Sequence, residues 1–349
     1  MKNLRLGLFV FLTIITACDS YQPSQMPVLE DYGSQELMAI NIATQKYPRT
    51  STNFYKKGLI LWNLGHRKEA LASIARAVQM NDTRGEYHLF LARTYVENDS
   101  VQAAFEAAKK AESLGLDTLA LNVLLADLYL KERQNQNALE NIDQALAKNG
   151  DDPANHLRKG KILLAMANPE QAEQSLLKSL ELDKDNSPAS KALADIYLQR
   201  EDYENALVYI QQNLAKTPND NDFLYKKGVA LSHTGQASQA IGLFRKVVTQ
   251  DQNYEPAFSQ LGTVYYQKRR YDSARYFANQ ALKLEAKDIE AMLTLARVAD
   301  RKKGYWVALK HYEDILAIDS TYAPAVAEHK KLKGKIAWLR YLDKNNSDE

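Results

Sequence analysis

The chain has 349 residues, 45% of them apolar and a quarter charged, with a formal net charge of +2 at pH 7. Lys2 and Arg5 supply that excess by themselves, so the rest of the chain is near neutral, which argues against a general nucleic-acid binder. Cys18 is the only cysteine, so no internal disulfide is available.

The first element is a short apolar run, Leu6 to Ile15, behind Lys2 and Arg5. It is too short for a membrane-spanning helix, which needs about 20 residues, and its charge pattern reads as a signal peptide over residues 1–17. The run ends in Ile15-Thr16-Ala17-Cys18, which resembles the lipobox of bacterial lipoproteins. That resemblance implies acylation of Cys18, which would become the first mature residue, and membrane attachment through the N-terminal lipid. Asp19 follows, a residue that retains lipoproteins in the inner membrane of some bacteria. The expectation is an exported, lipid-anchored envelope protein, with the outer membrane, on its periplasmic or surface face, ahead of the inner one. Residues 18–34, with Pro23, Pro27 and Gly33, read as an irregular tether.

From residue 51 the chain repeats. Alanine recurs every 34 residues at Ala70, Ala104, Ala138, Ala172, Ala206, Ala240, Ala274 and Ala308. Twelve residues before each stands another small residue: Gly58, Ala92, Ala126, Gly160, Ala194, Gly228, Gly262 and Ala296. A generic length prior of two or three domains yields to this unbroken period, which means a stacked-repeat architecture. The units are 51–84, 85–118, 119–152, 153–186, 187–220, 221–254, 255–288 and 289–322, with the small residues at positions 8 and 20. Apolar spacing within a unit is helical, as in Leu121, Leu124, Leu125 and Leu128, then Leu139, Ile142 and Leu146. Pro153, Pro188 and Pro256 suit first helical turns, and Pro169, Gly235 and Gly304 mark turns between half-units.

Each unit is therefore two helices of about a dozen residues whose backbones cross closely at the small positions. Position 11 is Leu or Tyr in seven of the eight units, and position 27 is small or apolar except at Ser179 and Asn213. This set of columns resembles the tetratricopeptide repeat family and covers residues 51–322. The resemblance implies an all-α, right-handed α-solenoid of eight helix pairs. Residues 35–50 keep the phase as a lone N-terminal cap helix. Residues 323–349 form a C-terminal cap helix and tail, apolar through Val326, Leu332, Ile336 and Leu339 and basic through Lys330, Lys331, Lys333 and Lys335.

No phosphate loop, dinucleotide fingerprint or nucleophile elbow is present, and the six histidines are scattered, reading as surface or boundary residues. The expectation is a non-enzyme without cofactor or metal. In the resembled family, the first helices line a concave protein-binding groove through positions 2, 5, 9, 12 and 13. Those columns give the candidates Tyr55, Trp62, Leu89, Arg93, Val96, Asp127, Leu130, Lys161, Leu164 and Leu198, an apolar stripe with alternating charges. Packing on the next repeat and inter-repeat ion pairing explain the same columns equally well. Toward the C-terminus the groove columns turn polar, with Ser232, Thr263, Arg297 and Asp300. No run of three units supplies the Lys and Asn set of a C-terminal-carboxylate clamp.

A second candidate is a basic edge, Lys268, Arg269 and Arg270 with Arg301, Lys302 and Lys303 one unit on, where an acidic partner or anionic lipid would bind. Residues 19–254 carry a net −4 and residues 255–349 a net +4. The implied function is a scaffold or adaptor holding a peptide or helical segment of another protein. Regulation or delivery of a cell-wall hydrolase or protease, and assembly of an outer-membrane, pilus or motility machine, stand beside it.

Overall fold

A computed structural model describes residues 35–347, with side chains through residue 341. The signal peptide, Cys18 and the tether lie outside the described residues. Every described element is an α-helix, and none is long and apolar enough to cross a membrane. The chain divides after Gly150 into two compact units.

In the first unit, α1 (Gln35–Lys46) precedes three antiparallel pairs. These are α2 (Ser51–Asn63) with α3 (Arg67–Met80), α4 (Gly85–Glu97) with α5 (Val101–Ser113), and α6 (Leu119–Lys131) with α7 (Asn135–Lys148). The second unit holds five pairs. They are α8 (Pro153–Ala165) with α9 (Pro169–Leu182), α10 (Ser187–Gln199) with α11 (Tyr203–Lys216), α12 (Asn221–His233) with α13 (Ala237–Gln250), α14 (Glu255–Gln267) with α15 (Tyr271–Leu284), and α16 (Ile289–Arg301) with α17 (Tyr305–Ile318). A last helix, α18 (Ala323–Ser347), follows.

Helix starts are fixed chemically. Thr118, Asp152, Asn186, Asp220 and Asp288 each accept a backbone N–H of the helix they precede, satisfying donors that the first turn otherwise leaves open. Pair turns share one geometry. Position 15 of every pair is left-handed: Gly65, Asp99, Arg133, Ala167, Glu201, Gly235, Arg269 and Lys303. In the first pair, His66 N–H reaches the Leu61 carbonyl at 2.9 Å and Gly65 N–H the Trp62 carbonyl at 3.0 Å, a Schellman closure. The same closure recurs at Lys303 and Gly304 onto Asp300 and Ala299.

The crossing points are as tight as small residues allow. All eight alanines at position 20 are 0% exposed. A Cβ added at Gly58 would sit 2.5 Å from the Ile74 side chain, and one at Gly228 would sit 2.5 Å from the Phe244 ring. The two departures at position 27 are buried and bonded: Ser179 donates to the Pro153 carbonyl at 2.7 Å, and Asn213 donates to Ser190 Oγ at 2.7 Å and the Tyr209 carbonyl at 2.9 Å. A polar side chain at this depth is tolerated because its hydrogen bonds are made.

Both end helices bury apolar surface. Leu37 and Ile40 of α1 pack with Leu61 and Ala70, and Ala325, Leu332 and Ile336 of α18 pack with Met292, Tyr312 and Ile315. Val326 departs from the expected apolar side: Ala325, one residue away, takes the contact and Val326 faces solvent. Lys335 also leaves the expected basic face and reaches inward to Asp300 at 3.0 Å. Glu328 accepts Arg297 through two nitrogens, at 2.7–3.1 Å, and the Tyr312 hydroxyl at 2.8 Å. Burial opposes ionisation of Glu328, but these bonds outweigh it and hold the carboxyl below its usual range.

One carboxyl pair in the second unit behaves oppositely. Glu255 Oε1 and Asp288 Oδ2 are both buried without a conventional partner, and a proton on Glu255 donated to Asp288 would satisfy both. Burial first, then the Asp288 contact and charge, pushes the Glu255 carboxyl up to about 8. A carboxyl raised on folding contributes stability that is complete below the unfolded value near 4.3 and is lost as pH rises through about 8. Stability is therefore expected to fall between pH 5 and pH 9 more steeply in the wild type than in Glu255→Gln. Denaturant midpoints across that range check it, and parallel profiles would remove the shared proton.

Candidate protein-binding face

The first helices of the first unit gather aromatic side chains at one end. Tyr55 and Trp62 lie seven residues apart on α2 and so share a helix face. The Tyr55 ring stacks on Tyr87 of α4 with centroids 4.5 Å apart, and meets Phe90 edge-on at 6.1 Å. Trp62 meets Phe90 edge-on at 5.4 Å. Such offset and T-shaped contacts each add about 0.5–1.5 kcal/mol beyond burial. Tyr87 and Phe90 are 2% and 6% exposed, whereas Tyr55 and Trp62 are half-buried. The result is a shelf with two floor rings and two rings that keep open edges.

Cations frame this shelf. The Arg67 guanidinium lies 4.1 Å from the Trp62 ring centroid, and its Nη1 donates to the Trp62 carbonyl at 2.6 Å. Arg93 lies 6.0 Å from the Phe90 centroid and Arg84 5.7 Å from that of Tyr87. The Tyr55 hydroxyl is held above its ordinary pKa by burial, with the Glu86 charge next, so it stays a neutral donor at physiological pH.

The remaining candidates of the first unit continue from this shelf. Leu89 and Val96 on α4 and Leu130 on α6 are half-buried, Arg93 is exposed, and Asp127 is half-buried and already engaged. In the second unit, Lys161 is exposed on α8, and Leu164 on α8 and Leu198 on α10 are half-buried. From α10 onward ion pairs close the column: Lys226 with Asp195 at 2.7 Å and Asp222 at 2.9 Å, and Lys191 with Asp222 at 2.7 Å. At α16 the expected polar groove residues are spent on α18, Arg297 on Glu328 and Asp300 on Lys335. Thr263 meets Thr294 at 3.3 Å. The far columns thus join helices together.

Tyr87 and Phe90 were not among the sequence candidates, because positions 3 and 6 fall outside the family's groove columns. Their signal was two aromatics three residues apart, facing Tyr55 and Trp62 one repeat earlier. His88 corrects a second expectation: it is buried, with Nε2 2.9 Å from the Asp82 carbonyl oxygen. Among the described residues, no group of three or more His, Cys, Asp or Glu is gathered to hold a metal ion.

All six residues of the basic edge are exposed on the turns of the last two pairs. Lys302 bridges to Asp272, 2.5 Å away in the preceding pair, and Lys268 reaches Ser238 Oγ at 3.1 Å.

Tetratricopeptide repeat models match residues 55–115, 129–196 and 191–255, more than half of the chain. Among curated proteins, human protein O-mannosyl-transferase TMTC3 is 25% identical over 314 residues. That match takes in 80% of this chain, which spans about a third (33%) of the relative's length. Among solved structures, the C-terminal part of a TPR repeat-containing protein from Cytophaga hutchinsonii superposes with a TM-score of 0.53 at 19% identity, covering 68% of this chain and 98% of that one. The Cut9–Hcn1 assembly of the APC/C superposes at 0.55 with 16% identity, covering 84% of this chain and 58% of that one. Eight helix pairs, two small-residue columns at their crossings and these matches agree: the chain belongs to the tetratricopeptide repeat family.

Proposed function

We propose that the protein is a non-enzymatic adaptor that holds a segment of another protein on the aromatic shelf of its first unit. A lipid on Cys18 would attach it to the bacterial envelope. The observation that carries the reading is the pairing of two buried floor rings with two half-open ones, Tyr55 and Trp62, beside exposed Arg93. Rigid aromatic groups on a pre-formed surface are what an amphipathic helix or extended segment docks against, and they dominate binding energy where they occur. The half-buried leucines would continue the apolar surface, and Arg93 would set register more than affinity. The transferase activity in the relative's name belongs to a protein about three times longer.

A photoreactive residue in place of Arg93 tests this in cells. It is expected to form one adduct, mapping to one short partner segment, that a probe at exposed Gln174 on α9 does not form. Equal adducts at both positions, or none at Arg93, would overturn the reading.

A further inference from the structure

The outer side of the last repeat carries a feature that protein docking in the first unit does not use. Two of the three tryptophans, Trp306 and Trp338, are each 59% exposed, and Tyr341 is 63% exposed. A terminal solenoid helix is expected to turn a polar face to water; here large aromatics stand in it. The folding-back of α18 brings them to the edge that holds the basic turns. Lys335 ties α18 to Asp300 at 3.0 Å and lies 4.3 Å from the Tyr305 centroid, and the Arg340 guanidinium lies 4.8 Å from the Trp306 centroid. The end of α18 therefore sits at the level of the α16–α17 turn, beside Arg301, Lys302 and Lys303. The Lys302–Asp272 bridge joins that turn to the one bearing Lys268, Arg269 and Arg270.

We infer that this edge of the second unit is a docking surface for an anionic lipid bilayer. Charge complementarity is the first argument. From Arg301 to Tyr341 nine Lys or Arg stand against four Asp or Glu; with Glu328 paired to Arg297, and Lys302 and Lys335 paired to Asp272 and Asp300, seven cations against three acids remain. The residue types are the second. Trp and Tyr with flanking Lys and Arg match the headgroup level of a membrane, where a ring buries while its polar atom and the cations stay wet. The third is position: the aromatics are exposed, and the Arg340–Trp306 and Lys335–Tyr305 contacts put the end of α18 against the start of α17, next to the exposed basic turn. Arg269 and Lys303 hold the left-handed turn position, where the backbone aims a side chain outward whatever its identity. The inference does not depend on the aromatic shelf or on acylation of Cys18.

The test uses the full chain carrying Cys18→Ser, so that no acyl group contributes, and reads the edge itself through tryptophan emission. With vesicles of brominated phosphatidylglycerol in phosphatidylethanolamine, emission is expected to be quenched, and quenching should vanish at high salt. Brominated phosphatidylcholine vesicles should leave emission unchanged. Arg269→Gln with Lys303→Gln should weaken the anionic response by roughly 30-fold, at about a fivefold loss per cation. Arg269→Lys with Lys303→Arg should retain it. Trp306→Phe with Trp338→Phe, which leaves only Trp62, should abolish quenching. Circular dichroism checks that each variant keeps its helices. Equal quenching by neutral vesicles, or binding of an acidic protein with no response to anionic vesicles, would overturn the inference.

Discussion

Gly228→Ala is expected to destabilise the second unit by about 1–3 kcal/mol, although the change adds one methyl to a helix. Elsewhere in a helix the same change stabilises by about 0.5–1 kcal/mol. The difference lies in Phe244, whose ring would be met at 2.5 Å and 2.9 Å by the new Cβ. That ring is fully buried in a cluster with Leu224, Leu231, Val247, Ala257 and Leu261. Gly242 on α13 supplies the control, with nothing within 4 Å of an added Cβ, and Gly242→Ala should raise stability. Shortening the ring should relieve the clash, so in a Phe244→Leu background Gly228→Ala should cost less by about 0.5–3 kcal/mol, the range for contacting residues. Urea unfolding of the four-member cycle measures it. Additive effects would mean that position 8 is not where the two helices cross.

Much of this arrangement was legible because it repeats. The small columns could be read from Ala70 to Ala308 since a tight crossing admits only small residues, and the close contacts at Gly58 and Gly228 show why. The turns were less legible. Their left-handed residue is Gly only at Gly65 and Gly235, and the other six positions hold Asp, Arg, Ala, Glu, Arg and Lys, of which only Asp carries a turn signal. Ser179 and Asn213 broke the position 27 pattern because hydrogen bonds to Pro153 and Ser190, distant in sequence, help make them acceptable there. Arg297 and Asp300 sit in groove columns, yet α18 recruits both; a column identifies a helix face and not the partner that covers it. Val326 fell on the wrong side of α18 because a short residue, Ala325, makes the close contact.

Trp62→Ala is expected to weaken partner binding by about 2 kcal/mol, roughly 30-fold in Kd. Trp62 has one face committed to Phe90 and Arg67 and one edge open. Truncation therefore removes the open edge and loosens the floor beneath it. Trp62→Phe keeps a ring on Phe90 and should recover most of the affinity, which separates contact from folding. The direct measurement is calorimetric titration of the segment mapped from Arg93, made as a peptide, into the wild type, Trp62→Ala, Trp62→Phe and Arg269→Gln with Lys303→Gln. Binding that persists at high salt, drops about 30-fold in Trp62→Ala and is unchanged by the edge substitutions is the predicted result. Binding unaffected by Trp62→Ala, but abolished by salt or by neutralising Arg269 and Lys303, would contradict a partner-binding shelf on the first unit.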